Sequence, residues 1–142
     1  MNIFEALQKK LDNRVKEHEP LAQYTTFKIG GSADYIFEAK TTDEFVAAIT
    51  VGRTLAIPMF ILGGGTNILI GDRGIRGFVI KNSSGAIRIK GMKGTVTGGA
   101  AQKDLVFVEV ESGVIFNSLV RFTVEEGLAG LESRYVSRHA AL

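Results

Sequence analysis

Apolar positions recur at helical spacing near the start of the chain, where Ile3, Leu7 and Leu11 form one stripe with Phe4 beside it. This spacing predicts a short amphipathic helix over residues 2–11. A polar, charged stretch over 12–20 ends it. Tyr24-Thr25-Thr26-Phe27-Lys28-Ile29-Gly30-Gly31 then reads as an extended segment that breaks at a glycine pair. Alternation over 34–39, with Tyr35 and Phe37 in phase, predicts a strand. Thr42 followed by Asp43 and Glu44 predicts a helix start, with carboxylates in the first turn where the helix dipole favours them. Phe45, Val46, Ile49 and Leu55 are expected to bury one face of this helix, which should stop before Pro58. Met59-Phe60-Ile61-Leu62 is a continuous apolar run, the pattern of a strand buried in a parallel sheet. Residues 34–62 therefore read as one βαβ unit.

Beyond Leu62 comes Gly63-Gly64-Gly65-Thr66-Asn67, then Ile68-Leu69-Ile70, a turn at Gly71-Asp72-Arg73-Gly74 and a strand through Phe78-Val79-Ile80. The texture changes from residue 81. Short β-like pieces at 86–90, 95–97 and 105–110 are separated by Gly85, Gly91, Gly94, Gly98 and Gly99, which predicts antiparallel strands. A last helix is predicted over 115–126, with Phe116, Leu119, Val120, Phe122 and Thr123 on its core face and Gly127 as its C-terminal cap. A soft boundary near 81–85 divides the chain into residues 1–80, with the βαβ unit and the glycine loop, and a β-rich part over 81–132. A tail, 133–142, follows.

Composition narrows the chemistry. Of 142 residues, 45% are apolar and 23% charged, which places the chain among folded globular domains rather than disordered ones. Seventeen Lys and Arg against fifteen Asp and Glu leave a net charge of +2, and no basic run forms, so no nucleic-acid partner is expected. The absence of cysteine excludes disulfides, thiolate metal sites and a cysteine nucleophile. His18 and His139 alone make a histidine metal centre untenable, and no metal is expected. No apolar run reaches the ~18–20 residues of a membrane helix, and the start carries no secretory signal, so no membrane partner and a cytoplasmic location are expected. Glycine is the outlier at 17 residues, which points to tight turns and close backbone approach to a ligand.

The informative segment is Leu62-Gly63-Gly64-Gly65-Thr66-Asn67. Three glycines after a strand allow positive φ and leave backbone N–H groups uncovered by Cβ, a nest suited to phosphate or pyrophosphate. Thr66 and Asn67 add a hydroxyl and an amide as neutral donors. A plain glycine-rich turn at a sheet edge remains the competing reading. No Gly-Lys-Ser/Thr follows, so this is not a P-loop, and Ile68 stands where the dinucleotide fingerprint needs its third glycine.

Taken together, Tyr24-Thr25-Thr26-Phe27-Lys28-Ile29-Gly30-Gly31-Ser32-Ala33-Asp34, the Leu62 to Leu69 segment and residues 74–79 resemble the UDP-N-acetylenolpyruvoylglucosamine reductase family. So do Val110-Glu111-Ser112-Gly113, Leu119-Val120-Arg121-Phe122 and Glu126-Gly127-Leu128-Ala129-Gly130-Leu131-Glu132. The resemblance implies an α+β fold, a two-lobed FAD-binding module of the vanillyl-alcohol-oxidase type: a small βαβ lobe and a second lobe with antiparallel strands and a helix. It implies FAD as cofactor, with Leu62, Gly63, Gly64, Gly65, Thr66 and Asn67 cradling the pyrophosphate and Leu69 packing near it. Ser112 and Gly113 occupy the family's small-residue turn near the flavin, and Glu132 leads into its next flavin loop. Thr25 stands where the family's entry motif carries Asn.

The family passes hydride from NADPH to FAD and on to an enolpyruvyl UDP-sugar substrate, in cell-wall precursor synthesis. The flavin does the hydride chemistry and the protein supplies orientation and proton transfer. After Glu132 the family continues with a Gly-Ile-Pro-Gly-Thr-Val-Gly-Gly-Ala-like loop, whereas this chain reads Ser133-Arg134-Tyr135-Val136-Ser137-Arg138-His139-Ala140-Ala141-Leu142. The chain is therefore expected to be a truncated form with a frameshifted or prematurely ended tail and no substrate-binding domain. It should contain no catalytic residue and be inactive alone, with self-association through surface that truncation exposes. Two alternatives are a non-catalytic flavin- or nucleotide-binding module and the FAD part of another oxidoreductase of the same fold.

Overall fold

In the computed structural model, which describes residues 2–93 and 105–131, the first element is helix α1, Ile3–Lys10. Its start is a capping box: the Asn2 side chain accepts from the Glu5 N–H at 2.8 Å, and the Glu5 carboxylate accepts from the Asn2 N–H at 3.2 Å. Leu7 and Leu11 are buried, and Phe4 stacks on Tyr35 with ring centroids 6.4 Å apart. Ile3 is exposed, contrary to the sequence reading. At 100° per residue, Phe4, Leu7 and Leu11 fall within an arc of about 60°, and Ile3 lies outside it.

The polar stretch after α1 is not merely a linker. Asp12 and Asn13 turn the chain in the left-handed region, with φ of 52° and 57°, and strand β1, Lys16–Glu17, then pairs antiparallel with β2, Ala33–Ala39. Between them Leu21–Tyr24 forms a 3-10 turn. The segment 24–31 is not extended as its sequence suggested. Thr25 is buried, and its hydroxyl donates to the carbonyls of Ala22 at 3.3 Å or Ile29 at 3.2 Å, which folds the segment back on itself.

Helix α2, Thr42–Thr54, is capped by Thr41, whose hydroxyl accepts from the Glu44 N–H at 3.2 Å. It buries Ala48 and Gly52, with Phe45, Ile49 and Leu55 packed beside them, and ends before Pro58. Val46 is exposed, because the smaller Ala48 and Gly52 occupy the line of closest approach. Strand β3, Met59–Leu62, and strand β4, Ile75–Asn82, complete a four-stranded mixed sheet of order β1-β2-β4-β3. Both β2 and β3 run parallel to β4, so the α2 crossover skips one strand and β4 fills the gap. Phe78, Val79 and Ile80 of this central strand are fully buried. Phe37, Phe78 and Ile80 face the helices, whereas Ile36, Leu62 and Val79 pack with Leu21 and Ile70 on the other face. The run 59–62 was expected to be buried, but β3 lies at the sheet edge and leaves Met59 and Ile61 exposed.

Arg14 ties the loop after α1 to both β2 and α2. Its guanidinium donates to both Glu44 carboxylate oxygens, at 2.6 and 3.0 Å, and to the Glu38 carbonyl at 2.7 Å, over the Phe37 ring. The Arg14 hydrogen bonds, with a further one from the Lys40 N–H, hold the Glu44 carboxyl down to about 2 from an ordinary 4.5. Both side chains are about a third exposed, so solvent screening limits the contribution to about 1 kcal/mol. Because the folded-state pKa lies below the unfolded one, this stabilisation is full above pH 4.5 and is lost as pH falls toward 2. Glu44→Gln should therefore lower the urea midpoint at pH 7, and the gap to wild type should close between pH 4.5 and 2. A gap that does not change with pH would refute this assignment.

Two compact units, Met1–Gly85 and Ala86–Leu142, divide the chain. In the second, strands β5, Ile87–Lys93, and β6, Leu105–Val110, form an antiparallel ribbon, and helix α3, Phe116–Glu125, follows. The strand predicted at 95–97 lies outside the described residues. α3 buries Thr123, with Leu119, Val120 and Phe122 half-buried; Phe116, expected on the core face, is exposed at the first turn. Gly127, with φ of 65°, ends the helix in a Schellman motif: its N–H donates to Val124 O at 3.2 Å, and the Leu128 N–H to Thr123 O at 2.7 Å. Mixed and antiparallel sheets with helices make this an α+β fold. Among the described residues no helix is long and apolar enough to cross a membrane.

Candidate functional site

The parallel strands β2, β4 and β3 end together, and the glycine loop leaves the carboxyl end of β3. Ligands of open α/β sheets settle beyond such strand ends. Only one of the three glycines uses the left-handed region: Gly65, at φ 69°. It is buried against the backbone of Tyr24 and Thr25, and its carbonyl accepts from the Thr26 N–H at 2.9 Å. The 3-10 turn is fixed in its own right by the Tyr24 hydroxyl, which donates to Glu19 at 3.1 Å and accepts from Lys16 at 3.4 Å. Two sequence motifs separated by about forty residues are thus one structure, with the 24–26 segment supporting the glycine loop from below.

Gly63 and Gly64 behave differently. Both are exposed, and neither adopts a positive φ. A Cβ at Gly63 would meet nothing within 4 Å, and one at Gly64 only the Thr66 methyl at 4.0 Å. Within the described residues, the backbone N–H groups of Gly63, Gly64, Gly65, Thr66 and Asn67 donate to no acceptor. The side chains of Thr66 and Asn67 are exposed and make no hydrogen bond there. Leu62 is buried beneath the loop, Ile68 and Ile70 pack inward, and Leu69 stands out with 69% of its surface exposed.

Sequence reasoning missed Lys81, treating it as part of a boundary. Lys81 stands on β4 opposite Leu62 on one side and Glu38 on the other, and its ammonium donates to the Gly63 carbonyl at 2.5 Å. Burial pushes its pKa down. Its signal in the sequence is a lone cation directly after the apolar Phe78-Val79-Ile80. A row of free N–H donors beside an ammonium is complementary to an anion.

Ser112 and Gly113 belong to the second unit, in the turn between β6 and α3. Glu111 just before them joins this turn to the start of β5, accepting from the Ala86 N–H at 2.9 Å and donating its own N–H to Ala86 O at 3.0 Å. Glu132 lies outside the described residues.

The sequence profile of the FAD binding domain family matches residues 33–137. Among curated proteins, the chain is 38% identical to a UDP-N-acetylenolpyruvoylglucosamine reductase from Carboxydothermus hydrogenoformans over 90% of its length. It is 36% identical to proteins of the same name from Rubrobacter xylanophilus, over 82% of its length, and from Caldanaerobacter subterraneus, over 89%. The aligned regions make up 38%, 35% and 42% of these relatives, so the chain spans about two-fifths of their length. The profile match extends over more than half of the chain and includes the β2–α2–β3 unit, the glycine loop and α3. The chain belongs to the FAD binding domain family.

Proposed function

We propose that this chain is the FAD-binding portion of a UDP-N-acetylenolpyruvoylglucosamine reductase, built as the two-lobed module of the vanillyl-alcohol-oxidase type. The observation that carries the reading is the run of backbone N–H donors from Gly63 to Asn67 without a protein acceptor, at the carboxyl end of β3. The open space at Gly63 and Gly64 lets a diphosphate approach that backbone, so the residues present fit the cofactor. When bound, FAD supplies hydride transfer. The protein's part in this chain is to bind and orient it. Leu62 anchors the loop in the core, and Gly63, Gly64 and Gly65 present N–H groups. Thr66 and Asn67 donate from a hydroxyl and an amide, and Leu69 offers an exposed apolar contact. By the family resemblance, Ser112, Gly113 and Glu132 are further flavin-binding residues.

In the complete protein NADPH supplies the hydride, and the enolpyruvyl group of a UDP-sugar receives it, giving a precursor of the cell wall in the cytoplasm. The residues that act on that substrate belong to the part of the relatives that this chain does not match. The test separates binding from folding. Gly64→Val adds bulk where the protein leaves space, so the unfolding midpoint should hold while FAD affinity falls at least about tenfold, as blocked donors lose charge-assisted hydrogen bonds. Flavin fluorescence titration measures the affinity. Equal FAD affinity in both proteins would refute the loop as the pyrophosphate site.

A further inference from the structure

We infer that Lys81 is the fixed positive charge of the glycine loop and makes the site selective for a flavin that carries a diphosphate. The inference rests on the FAD reading above and adds a residue to it. Lys81 holds an unusual position for an ammonium. It is half-buried at the end of the central strand, and among the described residues no carboxylate lies within ion-pair distance. The carboxylate beside it in the sheet register, Glu38, accepts from the Ser83 hydroxyl at 2.7 Å and acts on Lys81 only through space. The contact Lys81 does make is the Gly63 carbonyl, at the root of the loop with free N–H donors.

A half-buried cation whose hydrogen bond goes to a neutral carbonyl, with Glu38 acting on it only through space, is incompletely compensated, and an acceptor of negative charge beside Gly63 would offset its lost hydration. The N–H groups of the loop orient such a ligand, whereas a mobile surface lysine would add only screened charge. Flavins without phosphate gain nothing from Lys81. The side chain therefore has two duties: it fixes the loop through Gly63, and it weights recognition toward the diphosphate.

Lys81→Gln keeps a donor for the Gly63 carbonyl and removes the charge, and Lys81→Arg keeps the charge. FAD binding by the wild-type chain and both variants is followed by flavin fluorescence between about 50 mM and 500 mM salt, where exposed charges pass from weakly to strongly screened. ADP competes for the diphosphate site, and riboflavin is the phosphate-free control. The expected result is FAD binding about tenfold weaker in Lys81→Gln, with a flatter salt dependence, weaker ADP competition and unchanged riboflavin affinity. Lys81→Arg should lie near wild type.

A loop merely loosened by the substitution would weaken FAD at every salt concentration and leave the salt slope intact, which overturns the charge assignment. Unchanged FAD affinity in Lys81→Gln overturns it too, while the FAD reading stands. A wild-type chain that binds no FAD overturns both. If Lys81→Gln does not fold, the wild type decides: FAD affinity must fall with salt while riboflavin affinity does not, and equal salt slopes reject the inference.

Discussion

Gly65→Ala should unfold the first unit at markedly lower urea and abolish cofactor binding together with it. Two independent costs meet at this position. The backbone sits at φ 69°, where an L side chain costs about 1–2 kcal/mol. A Cβ there would also drive into the carbonyl of Tyr24 and lie 3.0 Å from the Thr25 Cα. That contact is with backbone, which cannot rotate away as a side chain does, so overpacking adds about 1–3 kcal/mol. Together they remove a large share of the ~5–15 kcal/mol that holds a domain folded. Urea denaturation with the flavin titration checks this. The contrast with Gly64→Val is the diagnostic part. Adjacent glycines should fail in opposite ways, one in folding with binding lost as a consequence, the other in binding alone. If Gly65→Ala unfolds at the wild-type midpoint, the docking of the loop on the 24–26 segment is wrong.

Phe78→Ala should cost about 3–5 kcal/mol, the largest loss expected from removing side-chain volume among the described residues. Phe78 is fully buried in the central strand, and its ring lies beneath Gly52 of α2, where even a Cβ would come to 3.3 Å. Strand β4 is flanked there by β2 and β3, so neither neighbour can collapse into the vacated space without breaking its register with β4. The equilibrium midpoint should fall with the denaturant slope unchanged. The same strand carries Lys81 three residues later, so a shift of β4 would also displace the ammonium from the Gly63 carbonyl. A cost under about 1 kcal/mol would mean that the helix and sheet repack freely at this point.

Local signals wrote most of the first unit. The Asn2 and Glu5 pair, the carboxylates after Thr42 and the stop before Pro58 act within a few residues, and the helices formed where they direct. Gly127 likewise ended α3 through its own backbone freedom. The errors fall where distant segments compete for the same face. Ile3, Val46 and Phe116 are apolar at helical spacing, yet each is exposed, because spacing defines a stripe but the neighbouring element selects its centre. β1 went unseen because two residues with charged side chains carry no period; its pairing with β2 is made of backbone bonds.

The glycine loop was legible as a run of small residues after a strand, and so was the chemistry such a backbone offers. The FAD family itself was readable from motifs in order along the chain, since those motifs are local in sequence. Tertiary structure decided how the three glycines divide their work. Gly65 turns and docks on Tyr24 and Thr25, while Gly63 and Gly64 stay open. It also decided that β4 enters between β2 and β3, which set Lys81 beside the loop. The sequence determined the elements, because turns, caps and periodicity are paid for by neighbours along the chain. The site needed the fold, because strand order is set by which apolar faces bury one another, and that choice is made between residues far apart in sequence.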